Sequence, residues 1–442
     1  MDMTPKQIVE FLDDYIIGQN DAKKTIALAL RNRYRRMQLK SDLQEEVMPK
    51  NILMIGSTGV GKTEIARRMA KMMGLPFVKV EASKYTEVGF VGRDVESMIR
   101  DLAYESINLV TKEYEEKIQD SIDAEVIKQI VEILVPTLPE TASENAKDSF
   151  IKTYNKMEAK VLDGSIDDKK ITIELPKKTH VEIVDSNIPM DMSAVSESIN
   201  NMLGKMGKEK IEKEVTIKDA KKLLRSSASE NLLDKESLQQ EAVKRCENGG
   251  IIFLDEIDKI ATGNNNKNQD PSKEGVQRDL LPIVEGSNVH TKYGQIKTDH
   301  ILFIAAGAFH VSKPSDLLPE LQGRFPLRVE LNPLDEEALY KILTNTKNSL
   351  LRQYKALLDV EGVNLEFDDE AIRAFANLSV SANEKAEDIG ARRLHTVIEK
   401  VLEDISFNAD ENSGETIIVT KELVHEKLEN IAQNEDTARY IL

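Results

Sequence analysis

Eight residues, Gly56-Ser57-Thr58-Gly59-Val60-Gly61-Lys62-Thr63, combine three glycines, a lysine and a hydroxyl at the spacing G-x-x-x-x-G-K-[ST]. Around a polyphosphate each type has a physical task. The glycines let backbone N–H groups turn inward onto phosphate oxygens, Lys62 brings a cation to the β and γ phosphates, and the Thr63 hydroxyl suits Mg²⁺. Gly59, Val60, Gly61, Lys62, Thr63 and the adjoining Glu64 are therefore candidates for binding a nucleoside triphosphate with its Mg²⁺. A second signature, Gly250-Ile251-Ile252-Phe253-Leu254-Asp255-Glu256, ends an apolar run in two carboxylates. Asp255, at the end of the run, is placed to hold Mg²⁺. Glu256, one residue on, points elsewhere and can orient and polarise an attacking water as general base.

Loop and acids need a scaffold. Asn51 to Ile55 is an apolar run before the loop, and the stretch from Glu64 to Met73 reads as a helix, so the motif sits in strand-loop-helix context. His300-Ile301-Leu302-Phe303-Ile304-Ala305-Ala306 reads as another buried parallel strand. Lys62 and Asp255 stand 193 positions apart, whereas a βαβ unit takes about 30 residues or somewhat more. An inserted domain is implied. Thr111 to Gln240 holds three aromatics against 20 Lys/Arg and 26 Asp/Glu, too little for a large compact core, so an elongated, helical insert is expected. Lys170 to Glu174 and His180 to Val184 are its β-like runs, and Ile188 to Met206 is Met-rich, which suits an adaptable apolar surface or simple loop packing.

Thr4-Pro5-Lys6-Gln7 is a capping box with proline at the first helical position. A basic helix follows from about Asn20 to Leu39, and its Arg31, Arg33, Arg35 and Arg36 read as a solvated face. Gly263 to Asn268 is a polar loop, Gly275 to Glu285 looks helical, and Leu317 to Leu321 forms a helical turn ending near Gly323. From about Pro333 the chain turns mostly helical, with a strand at Thr416 to Thr420.

The formal charge of -17 argues against broad attraction to nucleic acid or anionic lipid. One cysteine, Cys246, excludes an intrachain disulfide and fits a reducing cytoplasm, where it reads as a small buried hydrophobe. No signal-peptide pattern or bilayer-length apolar run stands out. The six histidines show no metal spacing, so the nucleotide's Mg²⁺ is the only metal expected.

Five elements together resemble the AAA+ ATPases, and within them the ring-forming unfoldases that serve a separate peptidase. They are Tyr15-Ile16-Ile17-Gly18-Gln19, the phosphate loop, Gly89-Phe90-Val91-Gly92, Leu254-Asp255-Glu256-Ile257-Asp258-Lys259, and Gly390-Ala391-Arg392-Arg393-Leu394 with the terminal Tyr440-Ile441-Leu442. The resemblance covers nearly the whole chain. It implies an α/β fold: an AAA+ P-loop core (parallel sheet flanked by helices) formed by 1–108 and 243–331, a mostly helical intermediate domain at 109–242, and a small, mainly helical C-terminal domain at 332–442.

It also implies ATP as the nucleotide, a cytoplasmic homo-hexamer, and protein substrates delivered to an HslV-like peptidase, with no role for nucleic acid or membrane. Ile17 then resembles the adenine contact, Glu320 lies near the nucleotide, and Arg392 is a second sensor of the γ-phosphate. Arg324, taken alone an ordinary surface arginine, occupies the place of the arginine that completes a neighbour's site and joins Lys62 and Glu256 as catalytic. Phe90 and Val91 resemble the pore loop, where an aromatic between hinge glycines grips unfolded backbone without reading its sequence. Tyr440, Ile441 and Leu442 resemble the peptidase-docking tail. The first-sensor position has no polar residue in Ile304-Ala305-Ala306-Gly307 and stays unassigned. The alternative is a stand-alone remodelling ATPase.

Overall fold

The computed structural model describes residues 3–86, 93–135, 144–176, 210–262, 271–385 and 388–432. Two compact units emerge, Met1–Leu109 with Gln239–Leu442, and Val110–Leu238.

The first unit is built on five strands, β1 (Ile52–Ile55), β2 (Phe77–Glu81), β5 (Ile251–Asp255), β8 (Leu302–Gly307) and β9 (Leu327–Glu330), in the order β2-β5-β8-β1-β9 and parallel throughout. A parallel sheet carries helices on both faces, so its inner strands are apolar at every position. Alternate residues supply the two cores: Leu53, Leu254, Phe303 and Ala305 face Met98, Leu102 and Leu280, while Ile52, Met54, Phe253 and Ile304 face Ile8, Leu30, Ile65 and Met69. β2, at the edge, alternates instead, burying Val78 and Val80 and turning Lys79 outward.

The expected capping box is present: Gln7 N donates to Thr4 Oγ1 at 3.4 Å and Thr4 N donates to Gln7 Oε1 at 2.7 Å. The basic helix corrects the reading of its arginines. Arg33 and Arg36 are buried. Arg33 donates to the carbonyls of Asn248 (3.0 Å), Gly250 (3.1 Å) and His300 (2.5 Å), and Arg36 Nε to Gln44 O at 2.7 Å. The carbonyls leading into β5 and β8 need donors once covered, and a guanidinium spans several at once. Burial, then Arg36, pulls Arg33 down to about 9, which leaves it charged at neutral pH.

The small domain after Leu331 packs helices Glu336–Thr344, Leu350–Asp359, Asp369–Lys385, Arg392–Phe407 and Lys421–Ala432 around Leu343, Phe375, Leu394, Ile398 and Leu402. A parallel pair, β10 (Asn364–Phe367) and β11 (Thr416–Val419), closes it. An antiparallel pair, β6 (Asn288–Thr291) with β7 (Gly294–Lys297), completes the first unit.

In the second unit, helices Gln119–Leu134, Glu144–Leu162 and Ile217–Leu232 pack with the antiparallel strands β3 (Lys170–Pro176) and β4 (Lys210–Thr216). Its core is aliphatic, with Ile122, Ile130, Val161, Ile173 and Leu224, as the scarcity of aromatics requires. The stretches 180–184, 188–206 and 263–268 lie wholly or largely outside the described residues. Among the described residues no helix is long and apolar enough to cross a membrane.

Candidate active site

Parallel strands end at one edge, and β1, β5 and β8 deliver the loop after Ile55, the acid pair and Gly307 to the same cleft of about 960 Å³. The acid pair reaches it although β8 stands between β5 and β1. Crevices at the carboxyl ends of the strands are where open α/β sheets bind ligands.

Glycine is required at two loop positions, where φ is +78° at Gly59 and +102° at Gly61. Gly61 caps the helix Lys62–Met72, whose first N–H groups and dipole favour an anion. Lys62 Nζ donates to Gly56 O at 2.6 Å and to Ser57 O at 2.7 Å, which holds the ammonium across the loop. Burial pulls Lys62 below its usual value, opposed by Asp255 and Asp258 and reinforced by Arg392 and Lys79. The Ser57 hydroxyl is buried without a protein partner. Glu64 is bridged to Arg67, and to Arg68 at 2.5 Å; these bonds outweigh the burial that would raise it and hold its carboxyl below the usual range.

Asp255, at the end of β5, accepts from Lys79 Nζ at 2.8 Å and from Glu256 N at 3.1 Å. Glu256 adopts φ +57°, uncommon for a residue with a side chain. This turns it off the strand, and its Oε2 accepts from Ser83 Oγ at 3.0 Å. Local strain of this kind is concentrated at functional sites. Sequence reasoning missed Lys79 and Ser83, although the pairing of Glu81 with Asp255 puts both beside the acids. Asp258 and Asp388 also line the cleft and were missed.

The small domain forms one wall. Ala391 N donates to Gly59 O at 3.2 Å, and Gly390, itself at φ +55°, lies against Thr58 O. A Cβ on Gly59 would fall 1.9 Å from Ile389 O. Gly59→Ala should therefore push residues 388–391 off the loop and weaken nucleotide affinity by about tenfold or more. Titration with a fluorescent nucleotide measures this, and unchanged affinity would show that the contact does not shape the site.

Other candidates lie outside this cleft. Ile17 lines a separate hollow of about 500 Å³ shared with Asn332 to Asp335 at the junction of core and small domain. There Gln19, at φ +55° and buried, donates Nε2 to Asn332 O at 2.8 Å and accepts from Asn332 N at 2.9 Å, a junction contact the sequence did not reveal. Arg324 and Glu320 sit on the exposed side of the helix Pro319–Arg324. Arg324 pairs with Glu285 at 2.8 Å and does not line its own chain's cleft. Arg392 opens its helix close enough for its charge to act on Lys62. Phe90 and Val91, and Tyr440, Ile441 and Leu442, lie outside the described residues.

Comparison with known proteins agrees with this geometry. Residues 52–159 match the ATPase family associated with various cellular activities (AAA), residues 168–328 the AAA domain (Cdc48 subfamily), and residues 334–408 the C-terminal, D2-small domain of ClpB protein. A Campylobacter jejuni protein named "ATP-dependent protease ATPase subunit HslU" is 61% identical over 100% of both chains. The Helicobacter pylori protein of the same name is 59% identical over 100% of this chain and 99% of its own. The chain belongs to the HslU family. As a member of that family it is an AAA ATPase, and Lys62 and the acid pair line one cleft. The parallel sheet flanked by helices, with a helical small domain, is the expected fold class.

Proposed function

We infer that this HslU chain is the motor of an ATP-dependent protease: a cytoplasmic homo-hexameric ring that hydrolyses ATP, unfolds protein substrates and passes them to an HslV-like peptidase. The observation that carries it is a cleft with a cation and an acid pair, one member a general-base candidate, which Arg324 of the same chain does not line, in a chain matched end to end by ATPase subunits of ATP-dependent proteases.

In this reading Lys62 and the loop N–H groups hold the β and γ phosphates, and the buried, unpartnered Ser57 hydroxyl offers a further polar group to them. The hydroxyl of Thr63 and the carboxylate of Asp255 are hard oxygen donors that fit Mg²⁺. Bound there, the ion supplies charge neutralisation between the phosphates. Glu256 orients the water and takes its proton. Arg324 of one subunit stabilises charge in the next subunit's site, so hydrolysis depends on assembly. Ile17 and Glu320 contact or border the nucleotide, and Arg392 reports the γ-phosphate to the small domain. Phe90 and Val91 act on the threaded polypeptide, and Tyr440 to Leu442 dock on the peptidase.

The test is ATP-dependent degradation of a folded model substrate by this chain mixed with the HslV-like peptidase of the same cell. Full-length chain should degrade it; a chain lacking Tyr440 to Leu442 should hydrolyse ATP yet lose degradation. If full-length chain hydrolyses ATP and never activates the peptidase, the stand-alone remodelling reading replaces this one.

A further inference from the structure

Arg324 ends a helix of six residues, Pro319–Arg324, too short to hold a position by its own hydrogen bonds. Its N-cap, Leu318, makes no side-chain cap, and the proline that follows has no N–H. Whatever places Arg324 must come from outside the helix. Three side chains do so. Asn51, the residue before β1, donates Nδ2 to Arg324 O at 3.1 Å. Glu285 pairs with the guanidinium at 2.8 Å. The third is Gln277, which is fully buried and shares the helix Pro271–Glu285 with Glu285.

Gln277 ties that helix to the acid pair. Its Oε1 accepts from Leu318 N at 2.8 Å, at the head of the Arg324 helix. Its Nε2 donates to Ile260 O at 2.7 Å, four residues after Glu256. Val276 and Leu280 beside it belong to the apolar core, where a buried amide is costly unless both ends are satisfied. Both ends are satisfied here, and only an amide side chain offers a donor and an acceptor side by side. The link has neighbours: Ser312 Oγ donates to Asp258 O at 3.1 Å and Thr262 N to Asp316 O at 3.2 Å. The segment after the acid pair and the segment leading to Arg324 are thus bonded along their length. Of these bonds, only those of Gln277 extend the brace to the head of the Arg324 helix.

We propose that Gln277 is a positioning residue for hydrolysis in the neighbouring subunit: it fixes the Arg324 helix relative to its own chain's acid pair, so that the arginine arrives where the next cleft needs it. The proposal rests on Arg324 completing the next subunit's site and names what aims it. Gln277 does not line its own cleft, so its loss leaves ATP binding there intact and acts on the neighbour. Misplacing a catalytic group by an ångström can cost about a hundredfold in rate.

Gln277→Met keeps the side chain's length and removes both bonds. A full chain carrying it should hydrolyse ATP about tenfold more slowly, with KM for ATP within about threefold of the natural chain. Unchanged hydrolysis would overturn the proposal. The decisive readout is mixing with Lys62→Ala chains, which carry an intact Gln277 and Arg324 but no phosphate-binding lysine. In rings mixed one to one at random, about a quarter of the interfaces join a Gln277→Met cleft to a properly held arginine, so activity per chain should rise about threefold. If Gln277 serves only its own cleft, or the fold at large, the same mixture should lose about half its activity, and the positioning role is refuted.

A parallel mixture of Lys62→Ala with Arg324→Ala separates this from the reading it rests on. Recovery there without a rise for Gln277→Met refutes the positioning role alone; no recovery in either mixture refutes Arg324 acting in trans as well. Should Gln277→Met fail to assemble, Leu318→Pro carries the same test. It deletes the N–H that Gln277 holds, at a φ of -55° that proline adopts, and the same rise or fall on mixing decides the case.

Discussion

Replacing Glu256 by glutamine should cut steady-state ATP hydrolysis by about 10²- to 10⁴-fold while nucleotide binding stays near wild type. The substitution is nearly isosteric. The amide oxygen can still accept from Ser83 Oγ, now 3.0 Å from Glu256 Oε2, and the backbone at φ +57° is no more strained by glutamine than by glutamate. Asp255, held by Lys79, is untouched. What is removed is basicity alone. The loss should therefore fall on kcat, as expected for an interaction made only in the transition state. Phosphate release and fluorescent-nucleotide binding, measured on one preparation, check the two halves. Hydrolysis within a few-fold of wild type would remove Glu256 from the role of base and favour a slow, nucleotide-gated scaffold.

Arg324→Ala should lower hydrolysis by about 10³-fold or more, within the range that arginines supplied in trans contribute in GTPase systems. Folding should hardly change, because the pair with Glu285 is exposed and such pairs are worth roughly 1 kcal/mol or less. The diagnostic experiment is mixing. Lys62→Ala and Arg324→Ala chains are each expected to be inactive, but in random mixed rings about a quarter of the interfaces would join an intact Lys62 to a neighbour's intact Arg324. Activity should reappear on mixing and scale with that fraction. If Arg324 serves its own subunit, no mixture recovers.

The phosphate loop, the acid pair and the buried strands were legible because each is written in consecutive residues. A phosphate loop needs glycines where φ is positive, as at Gly59 and Gly61. A doubly covered strand needs an unbroken apolar run, as in Ile251 to Leu254 and Leu302 to Ala306. Thr4 and Gln7 close a capping box within one turn, which any reader of the local pattern recovers. The AAA+ resemblance rests on such local elements too.

The misreading of the arginines has the opposite origin. Arg33 looks solvated from its own helix, since periodicity reports only which neighbours along the helix are apolar. Its burial is decided by the carbonyls of Asn248, Gly250 and His300, more than 200 positions away, which sheet packing leaves in need of donors. Gln19 is similar, its amide taken up by the backbone of Asn332. Ser83 and Lys79 become site residues only because β2 pairs with β5. The sequence by itself therefore determined the nucleotide chemistry and the strands that bear it, because both depend on neighbours in the chain. Tertiary structure alone decided the strand order β2-β5-β8-β1-β9, the partners of the acid pair and the outward placement of Arg324. Those depend on which distant segments share an edge, and hydrogen bonds and ion pairs follow proximity in space rather than position in the chain.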